Sequence, residues 1–200
     1  MPRVAGQIDR AKNEAILDAA SDVVFERGLA APLDEIARRA GVSKQTIYNH
    51  YGSKSALLRA LIERRVKQVG APLDAPTSGE HPERALAAYA RVLLETIAME
   101  RSVALLRLLV ASASHDASLA RSVLPPGVRG AQLSAFLERE ARAGRLAIRD
   151  ASEAADFFSG MVIGRHQLQT LLGMPSELTA ERIDRIAREA ARRFVRAYAV

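Results

Sequence analysis

Apolar positions recur at helical spacing along almost the whole chain. Residues from about Asp9 to Arg27 carry Ile16, Ala20, Val23 and Val24 on one face, with Gly28 as the stop. Pro32 suits the first turn of a second helix, where its missing N–H costs nothing. That helix carries Leu33, Ile36, Ala37 and Ala40 and ends at Gly41. Ser43 is a good N-cap for a short third helix through His50 or Tyr51. Ser53 caps a fourth, with Leu57, Leu58, Leu61, Ile62, Val66 and Val69 on its apolar face. The stretch from Gly70 to Pro82, rich in Pro and Gly, reads as a loop.

Beyond it the helices are longer and more apolar. The pattern predicts helices over Pro82–Met99 and Ser102–Ala113, and a short one over Asp116–Leu124 stopped by Pro125, Pro126 and Gly127. The next runs to Ala143, with Gly144 just past its end. Asp150 and Glu153 resemble a capping box for a helix reaching Leu172, ended by Gly173 and Pro175. Thr179 caps a final helix to about Tyr198. No segment reads as a strand or an internal repeat, so the expected fold is all-α.

Composition narrows the function. There is no Cys, which excludes disulfides, thiolate nucleophiles and Cys-ligated zinc. No leader pattern opens the chain, and no apolar run reaches the roughly 18 residues of a membrane span, so a soluble cytoplasmic protein is expected. The formal net charge of +6 says little by itself. Its placement along the sequence says more: from Arg38 to Lys67 there are eight basic residues and one acid, Glu63. Such a local excess is an electrostatic footprint for a polyanion, or equally a solvated face.

The informative stretch is Leu33-Asp-Glu-Ile-Ala-Arg-Arg-Ala-Gly-Val-Ser-Lys-Gln-Thr-Ile-Tyr-Asn-His-Tyr51. Ala37 is small where two helices approach closely, and Gly41 permits a sharp turn. Val42, Ile47 and Tyr51 are expected to face inward. Lys44, Gln45, Tyr48 and Asn49 are left outside, hydrogen-bonding groups where a recognition helix enters a major groove. This is the pattern of a helix-turn-helix.

Within that frame the sequence resembles the TetR family of transcriptional regulators from about Lys12 to Leu61. The blocks are Ile16-Leu17-Asp18-Ala19-Ala20, Phe25-Glu26-Arg27-Gly28, Ile36-Ala37-Arg38-Arg39-Ala40-Gly41-Val42-Ser43, Ile47-Tyr48-Asn49-His50-Tyr51 and Lys54-Ser55-Ala56-Leu57. The rest matches by helix pattern and length, and looks like the AefR-like type of C-terminal domain. The resemblance implies base contacts from Lys44, Gln45 and Tyr48, and phosphate contacts from Thr46, Tyr48, His50 and Lys54. Gln can pair with adenine N6/N7 and Lys with guanine O6/N7, while a Tyr ring can touch a thymine methyl. One departure stands out: Ala31 and Pro32 occupy the start of the second helix, where the family often has a phosphate-binding Thr or Ser. The extension before Asp9, with Arg3, reads as a frayed tail or a minor-groove arm.

The resemblance further implies a DNA-binding domain over 1–52 and a ligand-binding and dimerisation domain over 53–200, bridged by the helix from Ser53. A small-molecule effector of apolar character would lie among Tyr89, Leu93, Leu106, Leu109, Phe136, Phe158, Met161 and Arg165, with His166 and Gln169 beside Arg165. A homodimer interface would use the last two helices, through Gly160, Gly164, Leu168, Ile183, Ala187, Ala190 and Phe194. The expected partners are therefore a near-palindromic double-stranded DNA operator, the effector and a second copy of the chain; no membrane, metal or cofactor is expected. The implied function is repression relieved by ligand, with activation or ligand-independent regulation as alternatives. Catalysis is disfavoured: the four His are scattered, and no HExxH, GxSxG, phosphate-loop or dinucleotide motif occurs. A non-specific architectural DNA-binder is disfavoured by the long apolar C-terminal half.

Overall fold

A computed structural model of the chain describes residues 10–75, 81–113, 121 and 130–200. They form helices α1 (Arg10–Arg27), α2 (Leu33–Arg39), α3 (Lys44–Tyr51), α4 (Lys54–Gly70), α5 (Pro82–Ala98), α6 (Glu100–Ala113), α7 (Ala131–Arg142), α8 (Ala151–Ile163), α9 (His166–Leu171) and α10 (Ala180–Ala197). Short 3₁₀ turns follow α1, at Gly28–Ala30, and α4, at Ala71–Asp74. The second lies inside the expected Gly70–Pro82 loop, so that loop begins as an ordered turn with Leu73 fully buried. The helix expected over Asp116–Leu124 and the tail with Arg3 lie outside the described residues, save helical Arg121. Among the described residues no helix is long and apolar enough to cross a membrane.

Side-chain caps mark several helix starts. The Ser43 side chain accepts from the Thr46 N–H at 3.0 Å, Asp150 from Ser152 and Glu153, and Thr179 from Arg182. Each satisfies a donor that the first helical turn leaves unpaired. One expected helix is broken: the stretch from Asp150 to Leu172 divides into α8 and α9 at Gly164, whose φ of +46° lies where an L side chain is strained.

The described residues pack as two units. Those of 1–64 and 104–125 form one; those of 65–103 and 126–200 form the other. The packing division falls within α4 and α6, and Leu57, Leu58 and Leu61 of α4 are buried in the first unit. That unit has Ile16, Ala20, Val23, Val24, Ile36, Ala37 and Ile47 at its centre. On α6, Leu109 is buried and Leu108 lies against Gly28, where an added Cβ would come within 3.3 Å of it.

In the second unit α10 lies along α5, and α8 packs against α7, α10 and α5. Its core contains Leu86, Tyr89, Leu93, Leu94, Leu133, Phe136, Leu137, Phe158 and Phe194. The rings of Phe158 and Phe194 meet edge-on with centroids 5.1 Å apart, and Tyr89 lies 6.3 Å from Phe158. Ile183, Ala187, Ala190 and Phe194, expected at a subunit interface, are buried within their own chain, in the core shared with α5.

Candidate nucleic-acid interface

The turn between α2 and α3 is built by backbone hydrogen bonds. The Val42 N–H donates to the Ala37 carbonyl at 3.0 Å and the Gly41 N–H to the Arg38 carbonyl at 3.3 Å. This is a Schellman end, and it places Gly41 at a φ of +64°. Ser43 then resumes extended backbone and starts α3. Ile47 is 1% exposed and fixes the rotation of α3 about its axis. Burying such a side chain is worth about 1.5–3 kcal/mol, against about 0.2–1 kcal/mol for an exposed ion pair. The inward face therefore decides which residues face out.

Those residues are Lys44, Gln45, Tyr48, Asn49 and His50, all exposed. Gln45 Nε2 donates to Asn49 Oδ1 at 2.7 Å, one helical turn on. Lys44 Nζ donates to Asp34 Oδ2 of α2 at 2.9 Å, and this holds the ammonium pKa above its ordinary value. Tyr48 projects freely enough to be 42% exposed. Thr46 is half-buried, its hydroxyl 2.8 Å from that of Ser43. Lys54, in the first turn of α4, is also half-buried, and burial pushes its amine below the usual lysine range. The His50 ring meets Tyr51 edge-on at 4.6 Å.

Several supporting residues were not foreseen from sequence. The Tyr51 hydroxyl donates to Asn13 Oδ1 of α1 at 2.6 Å, and burial raises the phenol's pKa. Arg64 of α4 reaches Glu14 and Asp18 of α1 at 3.0 and 2.8 Å. Arg39 bonds Glu26 and Glu35 at 2.7 and 2.8 Å, and Arg27 also pairs with Glu35. These contacts correct the charge reading. Between residues 10 and 64 there are nine basic and seven acidic side chains, because the acids of α1 and α2 lie outside the window first considered. The stretch bears a mild surplus of positive charge over its paired acids.

The helix-turn-helix and the C-terminal helices each match a known family description. Residues 16–61 match "Bacterial regulatory proteins, tetR family", and residues 84–200 match "AefR-like transcriptional repressor, C-terminal domain". The chain belongs to the TetR family of transcriptional regulators. Among curated relatives, the transcriptional activator FasR of Mycolicibacterium smegmatis is 52% identical over 52 residues, 26% of this chain and 24% of FasR. The alignments span less than half the length of the curated relatives matched. Two solved structures align over nearly the whole chain. The flavonoid-responsive regulator FrrA is 31% identical, covering 94% of this chain and 97% of its own, with a TM-score of 0.68. A TetR transcriptional regulator from Agrobacterium tumefaciens is 27% identical, covering 96% of each chain, with a TM-score of 0.72.

The C-terminal positions fall into groups. Tyr89, Leu93, Phe136 and Phe158 lie packed in the core of the second unit. Leu106 and Leu109 belong to the first unit. Met161 is 44% exposed, and the Arg165 guanidinium is exposed and paired with Glu177 at 3.3 Å. Met161 lies on the exposed side of α8, and the break at Gly164 ends that helix before Arg165. His166 is half-buried; burial first, then Arg182 and Arg165, push its pKa down. Gly160, Gly164 and Leu168 stay at the surface, with open space where a Cβ would stand at either glycine.

Proposed function

We propose that this TetR-family regulator is a repressor that binds a near-palindromic operator as a homodimer and is released by a small apolar effector. The observation that carries the reading is the division of α3 into a buried Ile47 and an exposed face of Lys44, Gln45, Tyr48 and Asn49. Gln45 and Lys44 have the donors that adenine and guanine edges accept or exchange in the major groove. Tyr48, His50, Thr46 and Lys54 flank them as the phosphate-holding set. Lys54 and Thr46, half-buried, would act as fixed rather than swinging contacts.

Dimerisation is supported by what the second unit leaves outside. Phe157 on α8 is 58% exposed, Leu168 and Leu172 on and just after α9 are 60% and 68% exposed, and Met161 and Met174 are exposed near them. Five large apolar side chains left to water on α8, on α9 and just after it suit a self-complementary two-fold contact. Gly160, Gly164 and Leu168 fit that face. Effector release is supported by the flavonoid response that FrrA's name states. An effector would enter the second unit by separating the Tyr89, Leu93, Phe136 and Phe158 cluster. Repression follows the AefR-like match. The FasR match covers only about a quarter of that activator. A recognition helix carries no sign, since activation or repression depends on where the operator lies.

The test is selection of duplexes from a random-sequence pool by the purified full chain. The expected product is an inverted repeat whose half-sites are spaced for recognition helices roughly 34–36 Å apart, or a multiple of it. Recovery of unrelated sequences, or of single unsymmetrical sites, would overturn the proposal.

A further inference from the structure

We propose that Asn13 is a positioning residue for DNA binding: through the Tyr51 hydroxyl it fixes the ring against which the His50 imidazole stands, and so holds His50 ready for a phosphate. The inference rests on the reading of His50 as a phosphate contact, and extends it to a residue of α1 outside the expected contact set.

α3 has eight residues, and Ile47 is its buried one. Ile47 seats the middle of the helix, but its last turn is held differently. Tyr51 lies one turn after Ile47 on the same face, half-buried, and the chain then leaves through Gly52 at a φ of +74°. What anchors Tyr51 is polar. Its hydroxyl donates to Asn13 Oδ1 at 2.6 Å, across 38 positions of sequence. Burial keeps the phenol in its neutral, donating form. The acceptor stands on a fixed support. Glu14 and Asp18, beside Asn13 on α1, both bind Arg64 of α4, at 3.0 and 2.8 Å, and the Arg64 side chain is only 19% exposed. The ends of α1 and α3 and the body of α4 are thus tied together at Tyr51.

The tie bears on binding through the neighbour of Tyr51. The His50 imidazole is exposed and meets the Tyr51 ring edge-on, with centroids 4.6 Å apart. An exposed ring seated on a fixed one has fewer orientations to lose when a ligand immobilises it, and that loss opposes binding. With the hydroxyl bond gone, the phenol and the imidazole move together, and the DNA has to order both. The bond therefore strengthens binding without touching DNA. A phosphate carries no sequence information, so the gain is the same on every duplex.

The experiment compares the full chain with its Tyr51→Phe, Asn13→Ala and His50→Ala forms, and with Tyr51→Phe and Asn13→Ala each combined with His50→Ala. The probes are a labelled duplex enriched from a random pool by the unsubstituted protein and a scrambled duplex of the same composition. Phenylalanine keeps the ring and removes only the donor. Tyr51→Phe is expected to weaken binding to both duplexes alike, about two- to fivefold, as for one side chain left to be ordered on binding. Asn13→Ala does the same. In the His50→Ala background neither change weakens binding further, while each lowers thermal stability as much with His50 as without it. A bond that merely held α3 in place would weaken binding by the same factor in both backgrounds, and that result overturns the inference. So does unchanged affinity in Tyr51→Phe. Failures separate cleanly. If His50→Ala weakens binding and the Tyr51→Phe effect persists without His50, the phosphate contact stands and this inference alone falls. If His50→Ala leaves both affinities unaltered, His50 leaves the proposed contact set and takes Asn13's role with it.

Discussion

The two packing units finish their surfaces in opposite ways. In the first, the outside carries a lattice of paired charges: Arg39 with Glu26 and Glu35, Arg64 with Glu14 and Asp18, Lys44 with Asp34. In the second, a larger core is complete, yet Phe157, Met161, Leu168 and Leu172 still face water. A surface of exchangeable hydrogen bonds suits a ligand that brings its own charges and can be released. A surface of exposed apolar area suits a protein partner that stays. On the proposed function, the difference would separate a reversible polyanion contact from a lasting subunit contact.

The comparison can be broken most severely in the core of the second unit. Phe158 is fully buried between Tyr89 and Phe194. Phe158→Ala is expected to cost about 3–5 kcal/mol of stability by chemical denaturation. A loss below about 1 kcal/mol would mean that the aromatic cluster is not closely packed. Next in size, Phe157→Glu places a charge on the exposed apolar face. It is expected to give monomers by sedimentation at concentrations where the unsubstituted chain is dimeric, with helix content unchanged. A variant still dimeric would move the subunit contact elsewhere. The smallest effect belongs to the first unit: Lys54→Ala should weaken binding to all duplexes alike and flatten the log K versus log[salt] slope by about 0.9. An unaltered slope would remove Lys54 from the phosphate contacts.

Sequence was most legible where the chemistry is local. Gly28, Gly41, Ser43, Ser53, Gly144 and Thr179 all stand at helix ends, because caps and left-handed turns depend on neighbours a few residues away. Gly164 was misread for a related reason: its apolar surroundings continue a helical pattern, and only the backbone shows the break. The stripe of Ile183, Ala187, Ala190 and Phe194 was legible as apolar, but what it packs against was not. Periodicity says that a face is buried and is silent on whether α5 or a second chain covers it. Charge misled in the same manner. A window from Arg38 to Lys67 leaves out Glu14, Asp18, Glu26, Asp34 and Glu35, which fold back against its cations. The outward face of α3 was legible because one buried residue, Ile47, settles the phase of eight.

That phase is the central claim, and Gln45→Ala tests it most directly. Gln45 is exposed and hydrogen-bonds Asn49 along its own helix, so its removal leaves the core untouched. Measured by competition between an enriched and a scrambled duplex at fixed salt, the variant is predicted to lose about tenfold or more in discrimination, the scale of one base contact, with thermal stability unchanged. Full discrimination in a folded Gln45→Ala variant would contradict the account.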